Sequence, residues 1–176
     1  MDTSGLRLLR PCRDYLASYY EACRETYGRV HDNYILHDPE KYGEWKDNIF
    51  QGYENAEKGT GLPAGWLPNA TFWAVSGNEY VGTVNIRLQM NDALREYGGN
   101  VGWALRLSRR GQGLALPLAR LAWRQAEALG VSPVLMTATE SNPKSLHVLE
   151  KLPYKKKECA TACVNGVRCG VRRYWF

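Results

Sequence analysis

From Arg106 to Ala115 the chain reads Arg-Leu-Ser-Arg-Arg-Gly-Gln-Gly-Leu-Ala. Arg106, Arg109 and Arg110 stand just before Gly111 and Gly113. Glycines let a ligand approach the backbone closely, and the arginines add positive charge. If a helix begins here, its unpartnered N–H groups and the positive end of its dipole also attract an anion. The stretch suits a phosphate-bearing ligand. It equally suits a plain strand-to-helix turn, and spacing alone does not choose between the two.

The neighbouring elements give the joint its setting. Val101, Trp103, Leu105 and Leu107 alternate with Asn100, Gly102, Ala104 and Arg106, the period of a strand. After Gly113, Leu114, Leu118, Leu121, Ala122, Ala126 and Leu129 recur at helical spacing, and Gly130 stops the helix. If Gly113 is the helix cap, Pro117 removes the first internal helix bond, so the helix begins late or bends there. Two other phosphate loops are excluded by pattern. No Gly-Lys-Ser or Gly-Lys-Thr occurs, and Leu116 stands where a dinucleotide fingerprint needs its third glycine.

Arg110-Gly111-Gln112-Gly113-Leu114-Ala115 fits the pattern Q/R-x-x-G-x-G/A. After it come the strand-like Pro133–Ala138 and then Asn142-Pro143-Lys144-Ser145, an asparagine opening a further helix. This ordered set resembles the GNAT superfamily of acyl-CoA-dependent N-acetyltransferases. Asn-Ile-Arg at 85–87, Tyr-Gly-Gly at 97–99 and Arg-Arg-Tyr-Trp at 172–175 resemble more narrowly a group of bacterial predicted acetyltransferases. The resemblance runs from about Leu6 to Phe176. Length reads as a single domain over residues 1–176, and the resemblance implies an α/β GNAT-like acyl-CoA N-acyltransferase fold whose mixed central sheet is flanked by helices.

The resemblance also implies a cofactor and a reaction. Acetyl-CoA would place its pyrophosphate on the amides of Arg110, Gly111, Gln112, Gly113, Leu114 and Ala115. Its pantetheine arm would pair with the backbone of Leu105, Arg106 and Leu107, where this strand splays from its neighbour. Asn142 would hydrogen-bond the arm, with Ser145 one turn on; Asn142 also reads as a plain helix cap. A primary amine of an unidentified acceptor would attack the thioester directly in a ternary complex. The amine must lose a proton, and the tetrahedral oxyanion needs a donor, expected from an N–H between Trp103 and Leu107.

Here the chain departs from its relatives. Leu149 stands where many members place a tyrosine acid, and His147 faces elsewhere on that helix. Leu107 and Arg109 replace the usual proline and glutamate before the loop. Glu140 and Glu96 are the candidate bases, and each also reads as a solvated surface carboxylate. The alternative function is a catalytically inactive CoA-binding sensor or regulatory module. The acceptor side should be lined by the first two helices and the long glycine- and proline-rich connection after them. Most aromatics there read as core, and Tyr34 and Trp66, in loops, are candidates to touch the acceptor.

Composition bounds the rest. With 176 residues and 44% hydrophobic content, the chain can bury a sizeable core. No apolar run approaches a membrane span, and the N-terminal stretch lacks a signal-peptide core, so a cytoplasmic protein is expected. The net charge of +5 concentrates at 106–124 and 151–173. A nucleic-acid module would interleave aromatics with that charge on one face. The sequence establishes no such face, so nucleic acid is not the expected partner.

Five cysteines read as free thiols. The Asn165-Gly166 turn would pair Val164 with Val167, Cys163 with Arg168 and Ala162 with Cys169. Cys163 and Cys169 would then point to opposite faces, so no metal site is expected. The element order is β-α-α-β-β-β-α-β-α-β-β, with helices over Arg13–Tyr27 and Pro39–Tyr53. The terminal hairpin, with an edge at Tyr174-Trp175-Phe176, offers a surface for a homodimer.

Overall fold

Asn69–Ser76 and Glu79–Arg87 are alternating runs joined by Gly77-Asn78, and they fold back as a hairpin, β2 and β3. A computed structural model describes residues 5–27, 37–164 and 166–176. In it the hairpin is flanked by β1 (Arg7–Leu9) and β4 (Val101–Leu105), giving an antiparallel sheet in the order β1-β2-β3-β4. A second sheet has the order β5-β7-β6, from β5 (Leu135–Thr139), β6 (Lys156–Val164) and β7 (Val167–Trp175). Helices α1 (Leu16–Thr26), α2 (Tyr42–Trp45), α3 (Ile49–Lys58), α4 (Ala115–Ala128) and α5 (Pro143–Leu149) complete the order expected from sequence.

The second expected helix is in fact broken. Pro39–Lys41 is a 3-10 turn capped by Asp38, which accepts from the Glu40 N–H at 3.0 Å. α2 then ends at Trp45, and α3 runs on to Lys58, where Gly59 closes it in the left-handed conformation. Tyr34 and Asn165, singled out above, lie outside the described residues. The register around 165 is nevertheless the expected one, Val164 with Val167, Cys163 with Arg168 and Ala162 with Cys169.

The expected mixed sheet is two antiparallel sheets, because β4 and β5 form no ladder with each other. They meet only at their beginnings, through Asn100. Its N–H donates to Leu135 O (2.7 Å), its Oδ1 accepts from Leu135 N–H (2.9 Å) and its Nδ2 donates to Arg87 O (3.2 Å). Gly99 must be glycine here: its φ is +64°, and a Cβ would stand 2.7 Å from Leu135 O. Both strands leave this joint, and beyond it no ladder joins the two sheets.

Alternation along the strands separates two cores. Phe72, Ala74, Val84, Ile86 and Val101 pack with Leu118 and Ala122 of α4 and with Leu149 of α5. On the opposite face Trp73, Val75 and Tyr80 pack with Tyr19 and Cys23 of α1 and Ile49 of α3. Residues of β3 and β4 between the apolar ones, Asn85 with its cross-strand partner Gly102 among them, therefore face the α1 and α3 side. Tyr174 and Phe176, expected at an edge, are buried in β7 and just after it, and β7 is the central strand. The hairpin's own outer edge is β6, with Lys156 and Lys157, so a pairing of two copies through this hairpin would use β6.

Candidate functional site

The loop after β4 presents a continuous run of amides. Leu107–Arg109 is a 3-10 turn, so β4 stops at Leu105, two residues sooner than alternation suggests. Gly111 and Gly113 follow with φ of +75° and +76°, and nothing stands within 4 Å of where a side chain would begin. Successive amides bent this way form a concave donor array. Among the described residues no backbone hydrogen bond engages the N–H groups from Gly111 to Leu116. The cap of α4 is Leu114, one residue later than Gly113, and the first internal bond runs from Leu118 N–H to Leu114 O (3.0 Å). Pro117 thus sits in the first turn, where an N–H has no helical partner, and breaks no bond.

The three arginines before the loop are not free to swing onto a phosphate. Arg106, nearly buried at 10% side-chain exposure, is ion-paired to Glu25 of α1 and to Glu79 of the β2–β3 turn. Its Nη1 also donates to Ser18 Oγ at 3.2 Å. Arg109 is ion-paired to Glu79 as well, with Nε on Oε1 at 3.0 Å. The hydrogen bond from Arg106 holds the Glu25 carboxyl below its usual pKa, and Glu25 in turn keeps Arg106 charged. Arg110 donates through Nε to Leu105 O at 3.1 Å, and the Gln112 amide donates to Ser108 O at 2.8 Å. These contacts shape the loop from outside and tie it to α1.

The backbone of β4 divides by parity. Arg106 N–H donates to Val81 O (2.8 Å), and the Asn100 carbonyl accepts from Arg87 N–H, so even-numbered residues bond to β3. Trp103 and Leu105 direct their N–H groups to the seam instead. Arg106, expected in the pantetheine-pairing set, has both backbone groups engaged, its carbonyl accepting from Arg109 N–H (2.9 Å). The Leu107 carbonyl accepts from Arg110 N–H (3.2 Å). Across the seam, Asn142 Oδ1 accepts from Ser145 N–H at 3.1 Å, the geometry of a helix cap, and among the described residues its Nδ2 has no protein partner. Leu149 is fully buried in the core and His147 is exposed.

On the α1 and α3 side a cavity of about 200 Å³ opens against β3. It is lined by Trp66, Asn69, Asn85, Arg87, Asn91 and Tyr97, with Leu94 and the 65–67 backbone. The floor is a polar stripe across β2 and β3: Asn85 Nδ2 donates to Asn69 Oδ1 (2.7 Å) and Thr71 Oγ1 (3.2 Å). Asn91 closes the mouth, its Nδ2 donating to Gly65 O at 3.3 Å and its Oδ1 accepting from Leu94 N–H at 3.0 Å. Asn85 pairs across the ladder with Gly102, which puts this floor beside the strand that borders the seam. Trp66, proposed from its loop position, stands at the rim at 54% exposure. Asn69, Asn85, Arg87, Asn91 and Tyr97 were not singled out as site residues. The signal was present in the polar Asn85 and Arg87 interleaved with buried Val84 and Ile86.

The two candidate bases lie apart from this floor. Glu140 follows β5, its carboxylate packed over Gly170 of β7 and 3.7 Å from Arg172 Nε, on the side of β5 away from β4. Glu96 is exposed on the Leu94–Gly98 turn, with no hydrogen bond or ion pair among the described residues. Beneath the cavity side lies an aromatic core in which Tyr19 OH and His37 Nδ1 are 2.8 Å apart. Burial lowers the pKa of His37, raises the Cys23 thiol to about 11 and raises Tyr53 to about 12. Among the described residues no group of histidine, cysteine and carboxylate side chains is arranged to hold a metal ion, and no helix is long and apolar enough to cross a membrane.

Residues 6–155 match a family model described as the acetyltransferase (GNAT) domain. Among solved structures, a chimera of the Vibrio cholerae spermidine N-acetyltransferase SpeG with hSSAT aligns at 17% identity and TM-score 0.60, covering 97% of this chain and 94% of that one. The microcin C7 self-immunity acetyltransferase MccE, in complex with acetyl-CoA and AMP, aligns at 13% identity and TM-score 0.63, covering 99% and 93%. A dodecameric spermidine N-acetyltransferase from Vibrio cholerae aligns at 15% identity and TM-score 0.59, covering 99% and 94%. At these identities the structures speak for the fold. A search of curated proteins finds no match.

Proposed function

Because the chain belongs to the GNAT acetyltransferases, we propose that it transfers the acetyl group of acetyl-CoA to a primary amine by direct attack. The observation that carries this reading is the run of unengaged amides from Gly111 to Leu116 at the start of α4, opening onto the seam between β4 and β5. The residues fit the cofactor: two left-handed glycines with open space above them, a helix start, and outward N–H groups on Trp103 and Leu105. When bound, the thioester supplies the activated acyl group. The chain's own part is to hold the phosphates at Gly111, Gln112, Gly113, Leu114 and Ala115, with Arg110 shaping the loop. It orients the arm along Leu105, Leu107 and Asn142, with Ser145 beside it, and offers a seam-facing N–H to developing negative charge. Arg106 would act through its ion pairs rather than through its backbone.

The acceptor would approach from the α1 and α3 side, where the cavity lies against Asn85 and Gly102. No carboxylate or imidazole lines that cavity among the described residues, so solvent at its mouth would take the amine proton. Glu140 and Glu96 remain the carboxylates nearest in sequence to the seam-bordering strands. A second reading, a CoA-binding regulatory module without turnover, draws support from Leu149, whose buried methyls stand where relatives have an acid.

Thermal unfolding with acetyl-CoA tests the first step. At a hundred times the dissociation constant, a ligand specific for the folded state adds about 2.7 kcal/mol. For a chain of this length that is a rise in Tm of roughly 5–10 °C. Gly113→Trp, which fills the loop and opposes the positive φ, should abolish the rise. No rise in the native protein at millimolar acetyl-CoA overturns the reading. A rise with thiol release for some amine establishes transfer, and a rise with no release for any amine favours the regulatory module.

A further inference from the structure

The cavity beside β3 contains a cation that no acidic side chain among the described residues balances. Arg87 is half-buried in its wall, and among the described residues its side chain makes one hydrogen bond, a long one from Nη1 to Gly98 O at 3.4 Å. No carboxylate pairs with it among the described residues, and no acidic side chain lines the cavity. The neighbouring arginines behave differently: Arg106 and Arg109 are saturated by Glu25 and Glu79. A half-buried guanidinium with no carboxylate partner favours an anion that reaches it. The other walls suit a small polar ligand with an apolar portion. Asn69, Asn85 and Asn91 offer amides, Tyr97 and Trp66 offer ring faces, and Leu94 offers methyls.

We infer that this cavity anchors the acceptor by an anionic group, with Arg87 taking a carboxylate and the amine directed toward Gly102 of β4. The acceptor class is a small amino acid or similar zwitterion. The inference rests on the transfer reading above. It separates this chain from a polyamine acetyltransferase, since a polycationic acceptor would meet the Arg87 charge and no compensating carboxylate. The volume of about 200 Å³ suits a molecule of amino-acid size. The ordering of Arg87 is built into the fold. Its N–H donates to Asn100 O, its carbonyl accepts from Asn100 Nδ2, and Asn69 is its cross-strand partner.

The test is a set of matched acceptors, read as thiol release from acetyl-CoA. Methionine is paired with its decarboxylated amine, phenylalanine with phenylethylamine, and γ-aminobutyrate with putrescine; phosphoethanolamine separates phosphate from carboxylate. The native protein should favour the carboxylated member of at least one pair by about 10- to 100-fold in kcat/KM. Arg87→Gln should bring that ratio close to one, and Arg87→Lys should restore part of it. A purely structural arginine would lower both members of a pair alike, and that result overturns the inference. So does a preference for putrescine or for phosphoethanolamine. If no acceptor turns over, the Nε–Hε NMR resonance of Arg87, assigned by its loss in Arg87→Gln, is followed during titration with the same compounds. A shift with carboxylates alone supports the anchor, and a resonance unmoved by every carboxylate overturns it. The acetyl-CoA thermal shift, measured on the same samples, reports separately on the transfer reading.

Discussion

At the residue scale, Arg106 holds two carboxylates from different elements, and its side chain is nearly withdrawn from water. Glu25→Gln should lower stability by about 1–2 kcal/mol in denaturant unfolding at neutral pH, because one charged hydrogen bond is lost. The pH sign follows from the direction of the shift. A carboxyl held below its usual pKa contributes stability above the unfolded value and loses it as pH falls through the folded value. The variant and native proteins should therefore converge in stability on acidification below about pH 4. His37 acts over a different window. Burial lowers its pKa, so the unfolded chain takes up its proton first as pH falls below about 6.5. Stability should decline from there, and His37→Phe should flatten that decline; an unchanged slope would sink the assignment. Glu140→Gln and Glu96→Gln should each keep kcat/KM within about twofold, given their positions, and loss of the acid-side limb of the pH profile in either would identify it as the base.

At the element scale, the start of α5 permits a clean separation of two roles for Asn142. Asn142→Ala should cost about 1 kcal/mol of stability through the lost cap. Asn142→Asp keeps the cap but has no N–H to offer. If the side chain also holds the cofactor arm, the aspartate variant should be as stable as the native chain and still bind acetyl-CoA several-fold more weakly. Equal affinity would reduce Asn142 to a cap. The strands, the long helix and the hairpin register at 162–169 were legible because apolar periodicity and turn chemistry are local. The end of β4 was not, because Leu107 continues the alternation and only the 3-10 turn into the loop breaks it. The break between α2 and α3 and the pairing of Arg106 with Glu25 and Glu79 depend on side chains meeting across long sequence separations. No spacing in the sequence reports such a meeting. The cavity was half legible: Trp66 came from its loop, whereas Asn85 and Arg87 needed a face assignment that only the packing of α1 and α3 supplies.

At the scale of the whole molecule, the Asn100 joint fixes how the two sheets stand. Asn100→Leu leaves the Leu135 N–H without its buried acceptor and should cost roughly 2–3 kcal/mol. Hydrogen exchange should show the loss first at Leu135 and the adjoining start of β5. Exchange raised only in β1 or β2 would contradict a local joint.

The absence of any ladder between β4 and β5 has a consequence for how the chain can be divided. Every ladder joins strands lying on the same side of Gly130, so a cut there leaves both sheets whole in their own fragments. The fragments would cohere through the buried faces of α4, α5 and β5, through Asn100, and through the Leu94–Gly98 turn, where Tyr97 O accepts from Thr137 Oγ1. A ligand lying in the seam would then work as an adhesive between them. Fragments 1–130 and 131–176, expressed separately, should reassemble more tightly when acetyl-CoA is present, and the chain would serve as a split reporter of its own cofactor.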